Sequence, residues 1–380
     1  MKKEATRTVR IFALSSFLND MGSDMISPIW PLFVTIALKA NIAMLGFLDG
    51  IGEAIVSVSQ AGGGWLSDKL KKRKLFIWFG YLFPFLSRIG YALAKTWQHL
   101  FPFRIIDRAG KIRDPPRDAI IADVTKHKER GRAFGFLEAM DSLGAVFGIL
   151  ICIALLAFGI SYRNLLVLAA LPSLVSVILI FIFIKEKKPK KISYSFKLKN
   201  LDRNFKFFLL LSSFFTIASF SYSFLLLAAK EFGLALLTLP ILYLIFTAIS
   251  SLFSVPFGRL SDKIGRKKVM LIAYILWAYV CISFIFWHNS AAIIIAIFVY
   301  GLHLGALKPV QKTFIAELSP RKYRASGIGI FRFVTGLCAL PASAIAGLLW
   351  AKFGTTAPFY FSLLLTAFST FLLLFLREKL

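Results

Sequence analysis

Gly258-Arg259-Leu260-Ser261-Asp262-Lys263-Ile264-Gly265-Arg266-Lys267-Lys268 is a short basic turn set between two apolar runs, 236–258 and 269–287. Each run is about 20 residues long, the length a helix needs to cross the hydrocarbon core of a bilayer. A charged turn between two such runs belongs at a membrane surface. The first half of the chain repeats the construction. Gly64, Ser67, Asp68 and Lys69 lead through Lys71, Lys72, Arg73 and Lys74, between the runs 42–65 and 75–94. Two further stretches recur, one in the same register and one within two residues of it. Ile121-Ala122-Asp123 returns as Ile315-Ala316-Glu317, and Arg132-Ala133-Phe134-Gly135 as Arg324-Ala325-Ser326-Gly327. Such self-similarity marks a tandem of two structural halves.

Working outward, the other apolar runs fall at 10–37, 98–122, 133–158, 164–184, 205–229, 291–316, 325–350 and 357–376, giving twelve spans. The composition agrees: 58% of residues are hydrophobic, 15% aromatic, and 40 are Phe. Mean hydropathy is +0.73. Ordinary soluble domains run nearer 45–50% apolar, so a water-soluble globule is excluded. The expected fold is an all-α membrane protein of twelve helices in two pseudo-symmetric six-helix bundles, 1–184 and 205–380. A basic linker, 185–204, joins them.

The formal net charge of +27 could suggest nucleic acid, but the placement of the charge argues otherwise. Basic residues crowd the first terminus and the loops at 69–74, 126–132, 185–206, 259–268 and 321–324. The alternate loops carry only Lys39, Lys95, Arg163, Lys230 and Lys352. That asymmetry is the positive-inside pattern, which puts both termini in the cytoplasm of a multi-pass plasma-membrane protein. The partner of the basic surface is the lipid bilayer, with no nucleic acid.

The quoted turn resembles the loop signature of the major facilitator superfamily, G-x-x-x-D-[RK]-x-G-R-[RK]-[RK]. Gly258, Asp262, Lys263, Gly265 and Arg266 match it, and in the first copy so do Gly64, Asp68, Lys69 and Arg73. The first copy departs by placing Lys71 where the second glycine belongs. The run Asp107-Arg108-Ala109-Gly110-Lys111-Ile112-Arg113-Asp114-Pro115-Pro116-Arg117-Asp118-Ala119 resembles a prokaryotic subgroup with the pattern D-R-x-G-K-G-x-R-x-x-P-R-D-A. One glycine after Lys111 is missing here. The resemblance implies a secondary transporter whose halves rock about a central site near the midplane. It also implies that Asp68 and Asp262 are gating residues, each latching onto a helix N-terminus of the other half. Asp123 and Glu317 would accept the basic residues of the same loops.

Ionisable residues inside spans cost on the order of 2.5–3.5 kcal/mol each on insertion scales, so each needs a reason. Asp20 and Asp24 lie four apart in the first span beside Asn19, and Asp49 and Glu53 four apart in the second. These carboxylates are the proton-coupling candidates. Burial favours the protonated form and a nearby Arg the ionised one, so a site alternating between such surroundings takes and releases a proton. Arg104, Asp107, Arg108 and Lys111 follow the i, i+3, i+4, i+7 spacing of one helix face. Arg104, Asp107 and Arg108, with Glu138, Asp141, Lys308 and Arg332, are the candidates for the central cavity and substrate; Arg88, Lys111, His303 and Lys312 are other charged or titratable groups within spans. Static ion pairs that fix helix packing are the competing reading.

Pro115-Pro116 is expected to break the fourth span just before Arg117 and Asp118, leaving an irregular or amphipathic end up to Asp123. Gly144-x-x-x-Gly148 in the fifth span resembles the glycine-rich pattern of facilitator antiporters, though Ile149 stands where that pattern has proline; close helix packing explains it equally well. Cys152, Cys281 and Cys338 lie in apolar stretches at no metal-ligand spacing. No P-loop, G-x-S-x-G or H-E-x-x-H occurs, so an enzyme and a cofactor are not expected. The first apolar segment is too long for the core of a cleavable signal and is expected to remain as a span. The expected activity is transport of a small-molecule substrate coupled to protons by a monomer, with efflux of an amphiphilic compound first and symport of an organic anion second. Metal export, and a receptor or scaffold in the same fold, are the other readings.

Overall fold

The computed structural model describes residues 3–126, 129–186, 202–319 and 324–376. Most of the expected linker 185–204, the turn containing Arg321, and part of the basic loop 126–132 lie outside the described residues. Long apolar runs become helices because only a helix pairs every backbone N–H and C=O within its own segment. Ten segments of the described chain are long and apolar enough to cross a membrane. Their outward surfaces are hydrocarbon: Phe181, Leu364, Phe371 and Phe375 are largely exposed, as lipid-facing side chains are.

The expected spans absent from those ten are 10–37 and 98–122, the two richest in charge. The first is α1 (Lys3–Ile26), followed by the single turn α2 (Trp30–Leu32) and a π-helical turn, Phe33–Ala37. The other is in pieces: a 3-10 turn at Trp97–His99, α5 (Leu100–Ala109), a second 3-10 turn at Gly110–Arg113, and α6 (Asp114–Val124). The break therefore falls at Gly110–Arg113, upstream of the prolines. Pro115 and Pro116 instead sit in the first turn of α6, where a missing N–H costs no hydrogen bond. The stretch to Asp123 is helical, not irregular. The helical stripe Arg104, Asp107, Arg108 and Lys111 is cut after Arg108, because Lys111 lies in the tighter turn.

The chain forms two compact units, Met1–Ala40 with Ile55–Ser193, and Asn41–Ala54 with Tyr194–Leu380. Unit 1 contains α1, the later part of α3 (Ile42–Leu70), α4 (Arg73–Leu93), α5, α6, α7 (Arg130–Ala157) and α8 (Tyr162–Phe183). Here α1 packs on α7 and α8, and α4 on α8 and α5. Gly144 and Gly148 of α7 are what bring α1 so near: a Cβ at either would overlap the carbonyl of Phe17 or Met21.

Unit 2 contains the early part of α3, then α9 (Arg203–Ala218), α10 (Tyr222–Glu231), α11 (Thr238–Ile264), α12 (Arg266–Phe286), α13 (Ser290–Leu318), α14 (Arg324–Phe353) and α15 (Ala357–Phe375). The expected span 205–229 is two helices, interrupted at Ser219–Ser221. α13 packs on α11 and α12, and α9 on α14 and α15. Its core is a lattice of rings in which Phe215 stacks on Tyr274 at 3.8 Å and Phe284 on Phe359 at 4.9 Å. Cys152 and Cys281 are buried free thiols, and Cys338 is half-buried.

Candidate functional site

Unit 1 carries a seam of charge along α1, α4, α5, α6 and α7. Arg88 on α4, 1% exposed, is its most enclosed member. Its guanidinium donates to Ala169 O at 2.8 Å and to Ser173 Oγ on α8, and to Asn19 O at 3.1 Å and Ser23 Oγ at 2.7 Å on α1. Every one of those acceptors is neutral. Arg113 Nη1 donates to Gly80 O and Gly110 O, both at 3.0 Å, and its guanidinium lies 4.7 Å over the Tyr81 ring. This bond to the Gly110 carbonyl holds the break between α5 and α6.

Arg117 joins three partners, donating to Asp118 Oδ1 at 3.0 Å and Ser16 Oγ at 3.2 Å, with Asp114 Oδ1 at 3.5 Å. Gln60 on α3 donates to the other oxygen of Asp114 at 3.0 Å. Asp20 accepts from Asn19 Nδ2 at 3.1 Å. Asp141 lies within electrostatic reach of Asp20, Arg117 and Lys111, and its Oδ1 is buried with no hydrogen-bond partner among the described residues. Arg104 stacks 4.2 Å over Trp30, and Arg108 Nε stands 3.6 Å from Asp107 Oδ2. Asp24 is half-buried on the same helix as Asp20, and Glu138 is exposed.

The second-half candidates do not gather. Lys308, Lys312 and Arg332 are exposed. His303 is wholly buried among rings, with Trp277 at 5.5 Å and Phe215 at 5.9 Å, and its Nδ1 lies 2.7 Å from Ala273 O. Asp49 and Glu53 separate by environment. Glu53 is exposed, whereas Asp49 is 4% exposed and accepts from Ser221 Oγ at 2.7 Å and Ser223 Oγ at 2.6 Å, within unit 2.

The two basic turns are built alike. In the first, Arg73 donates to Asp68 and to Asp123, both at 2.7 Å. Arg266 of the second lies 2.5 Å from Asp262 and donates to Glu317 at 3.1 Å. Ser67 Oγ donates to Gly64 O at 3.0 Å, and Ser261 Oγ to Gly258 O at 2.7 Å. Lys74 donates to the last turn of α8, at Phe181 O (2.8 Å), and Lys267 to the last turn of α15, at Leu374 O (2.6 Å). Lys69 instead lies 4.6 Å over the Trp65 ring, and Lys263 is exposed. Gly265 has φ +99, and Lys71, at the corresponding place, has φ +56.

Sequence reasoning missed the parts played by Asp114, Gln60, Ser221 and Ser223. Asp114 was legible only as part of a motif, and the serines only as a polar interruption in an apolar run. Among the described residues no group of three or more His, Cys, Asp or Glu side chains could hold a metal ion.

A chain of membrane-crossing helices with a buried seam of balanced charge defines a polytopic transport protein. It belongs to the Major Facilitator Superfamily, whose family model matches residues 12–249 and 207–380. The family is one of transporters, not enzymes. An uncharacterised transporter of this type from Methanocaldococcus jannaschii is 36% identical, over 98% of this chain and 96% of its own length. The multi-drug resistance efflux pump PmrA of Streptococcus pneumoniae is 26% identical over 95% of this chain and 94% of its own. Among solved structures, a variant of the nucleoside transporter NupG matches with a TM-score of 0.83 at 14% identity, covering 98% of this chain and 100% of that one. A D-xylose–proton symporter matches with a TM-score of 0.80 at 16% identity, covering 98% of each. At such identities the structural matches speak for the fold alone.

Proposed function

We propose that this transporter moves an amphiphilic organic compound out of the cell by alternating access, driven by protons. It would act as a monomer in the plasma membrane with both termini in the cytoplasm. The observation that carries proton coupling is the pair Asp20 and Asp141. One carboxyl oxygen of Asp141 is buried without a donor, and a second carboxylate is within electrostatic reach. Two carboxylates within reach of each other inside the helical bundle are groups that a transported proton could use. Arg117 is divided among Asp114, Asp118 and Ser16, so it neutralises the pair only in part. The likeness to a multidrug efflux pump supports the amphiphilic cargo.

The test uses purified protein in liposomes with ethidium as the probe and an imposed pH gradient. The gradient should drive ethidium flux in the wild type, and Asp141→Asn or Asp20→Asn should abolish the response to the gradient. Flux that ignores the gradient in the wild type, or survives unchanged in both variants, overturns the reading. Symport of an organic anion is the second reading, resting on the half-buried Lys111 and exposed Arg332. It has less support than the first, because Arg104 is engaged by Trp30 and Arg108 lies against Asp107.

A further inference from the structure

We infer that a groove between α1 and α7 holds an acidic phospholipid, its phosphate on Arg10 and Arg132 and an acyl chain lying along the groove. This concerns a resident lipid of unit 1 and is independent of the cargo and coupling proposed above. Arg132 and Asp141 are nine residues apart, which puts them on opposite faces of α7.

A cavity of about 290 Å³ opens near the starts of the two helices. Its walls divide by chemistry. Arg10 of α1 and Arg132 of α7 stand on it with Thr6 and Glu129, and Val9, Ala133 and Phe136 form the apolar side. Both arginines are exposed, and neither is in an ion pair among the described residues. Glu129 is already engaged elsewhere. The neighbouring arginines add positive charge: Arg7 lies 5.5 Å over the Phe183 ring, and Arg130 donates to Ala122 O at 3.2 Å. A guanidinium meets a phosphate with two parallel hydrogen bonds, and two guanidiniums on adjacent helices fix the place of one phosphate between them. The volume sits at the lower limit of small-molecule pockets, ~300 Å³, so it suits a headgroup rather than a whole cargo.

What selects a lipid over a free anion is the surface that continues from the arginines. Leu14 follows Arg10 by four residues and Phe136 follows Arg132 by four, so each stands one turn further from the basic end on the same helix face. Both are exposed. Deeper still, Phe17 meets Phe147 edge-on at 5.9 Å, and Leu143 and Phe147 carry the exposed apolar line along α7. The close approach of α1 at Gly144 and Gly148 shuts the groove from behind. A free anion would use the arginines and leave this run idle. A phospholipid answers charge and hydrocarbon together, as lipids do in basic pockets between membrane helices.

The experiment titrates the purified full-length protein, in a neutral detergent, with dioleoyl phosphatidylglycerol and reads bound lipid by native mass spectrometry. Dioleoyl phosphatidylcholine, whose head is zwitterionic, and glycerol phosphate, which has no acyl chains, are the comparison probes. The wild type should bind phosphatidylglycerol on the order of thirtyfold more tightly than phosphatidylcholine, the effect of two basic side chains at a membrane surface. Arg10→Gln combined with Arg132→Gln should erase that preference, and the fold should survive because both side chains are exposed. Arg203→Gln combined with Lys206→Gln removes two exposed charges from the start of α9 and should keep the preference. Equal binding of the two lipids by the wild type overturns the proposal. So does a preference that survives the changes on α1 and α7, or one that vanishes with the changes on α9. Glycerol phosphate that displaces phosphatidylglycerol at equal concentration marks a site for free anions and overturns the lipid as its occupant.

Discussion

Arg88 in unit 1 and Cys281 in unit 2 occupy the same place in the repeat, each the same distance along the chain beyond its loop arginine, Arg73 or Arg266. Arg88 reaches Ala169 and Ser173 on α8; Cys281 reaches Ser362, the counterpart of Ala169, on α15, with Sγ 3.4 Å from Oγ. Trp277, one turn earlier, donates to the same Ser362 at 2.9 Å, and Ser362 donates onward to Ala218 O at 2.5 Å. One backbone plan is therefore stitched by a guanidinium in one half and by a thiol, an indole and a hydroxyl in the other. The difference leaves a permanent positive charge at this place in unit 1 and neutral polar groups among rings at the matching place in unit 2. The frame and the loops repeat, while the chemistry at this interior position differs between the halves.

That contrast is sharpest in stability. Arg88→Ala removes charge-assisted hydrogen bonds between α4, α1 and α8 and opens a hole, so thermal unfolding in detergent should show a loss of about 3 kcal/mol, net of the cost of burying the charge. Cys281→Ala should cost about 1 kcal/mol. Equal losses would break the comparison. The loop arginines come next. Arg73, with a side chain 3% exposed, is held between two aspartates, whereas the partners of Arg266 are 65% and 47% exposed. Arg73→Ala should therefore destabilise by about 2 kcal/mol and Arg266→Ala by less than about 1 kcal/mol, because solvent screens the second set. Raising the salt concentration should erode only the smaller effect.

The smallest effects concern the backbone. Gly265 adopts φ +99 with ψ 153, a region essentially closed to side chains, and Lys71 holds φ +56 with a side chain in place. Gly265→Ala should lower stability by about 1 kcal/mol or more, and Lys71→Gly should raise it by up to about 1 kcal/mol. Opposite signs at these corresponding positions would show that both loops turn through a positive-φ residue, with a glycine only in the second.

The helical membrane fold was legible because each span is a simple length of apolar residues, and the repeat because loop residues such as Asp68, Arg73, Asp262 and Arg266 keep their chemistry. The breaks were harder. Pro115 and Pro116 pointed to an interruption, but proline stops a helix only where its N–H would have been used, and at a first turn it starts one. The real interruption, Gly110–Arg113, is held by a side chain reaching back to carbonyls, which no local pattern announces. Similarly, Asp49 and Glu53 share a helix face by spacing, yet one is buried and the other exposed, since burial depends on what packs against each turn. The site candidates Lys308 and Arg332 were chosen for charge inside a span, and they stand exposed.

The three thiols have a practical consequence for work on this chain. A thiol must meet its reagent as a thiolate, and Cys152 and Cys281 are each 0% exposed. Only Cys338 is partly accessible. Replacing that single residue should give a background nearly silent to maleimides. Reporter cysteines placed at chosen positions would then record, one distance at a time, how the helices travel through a transport cycle.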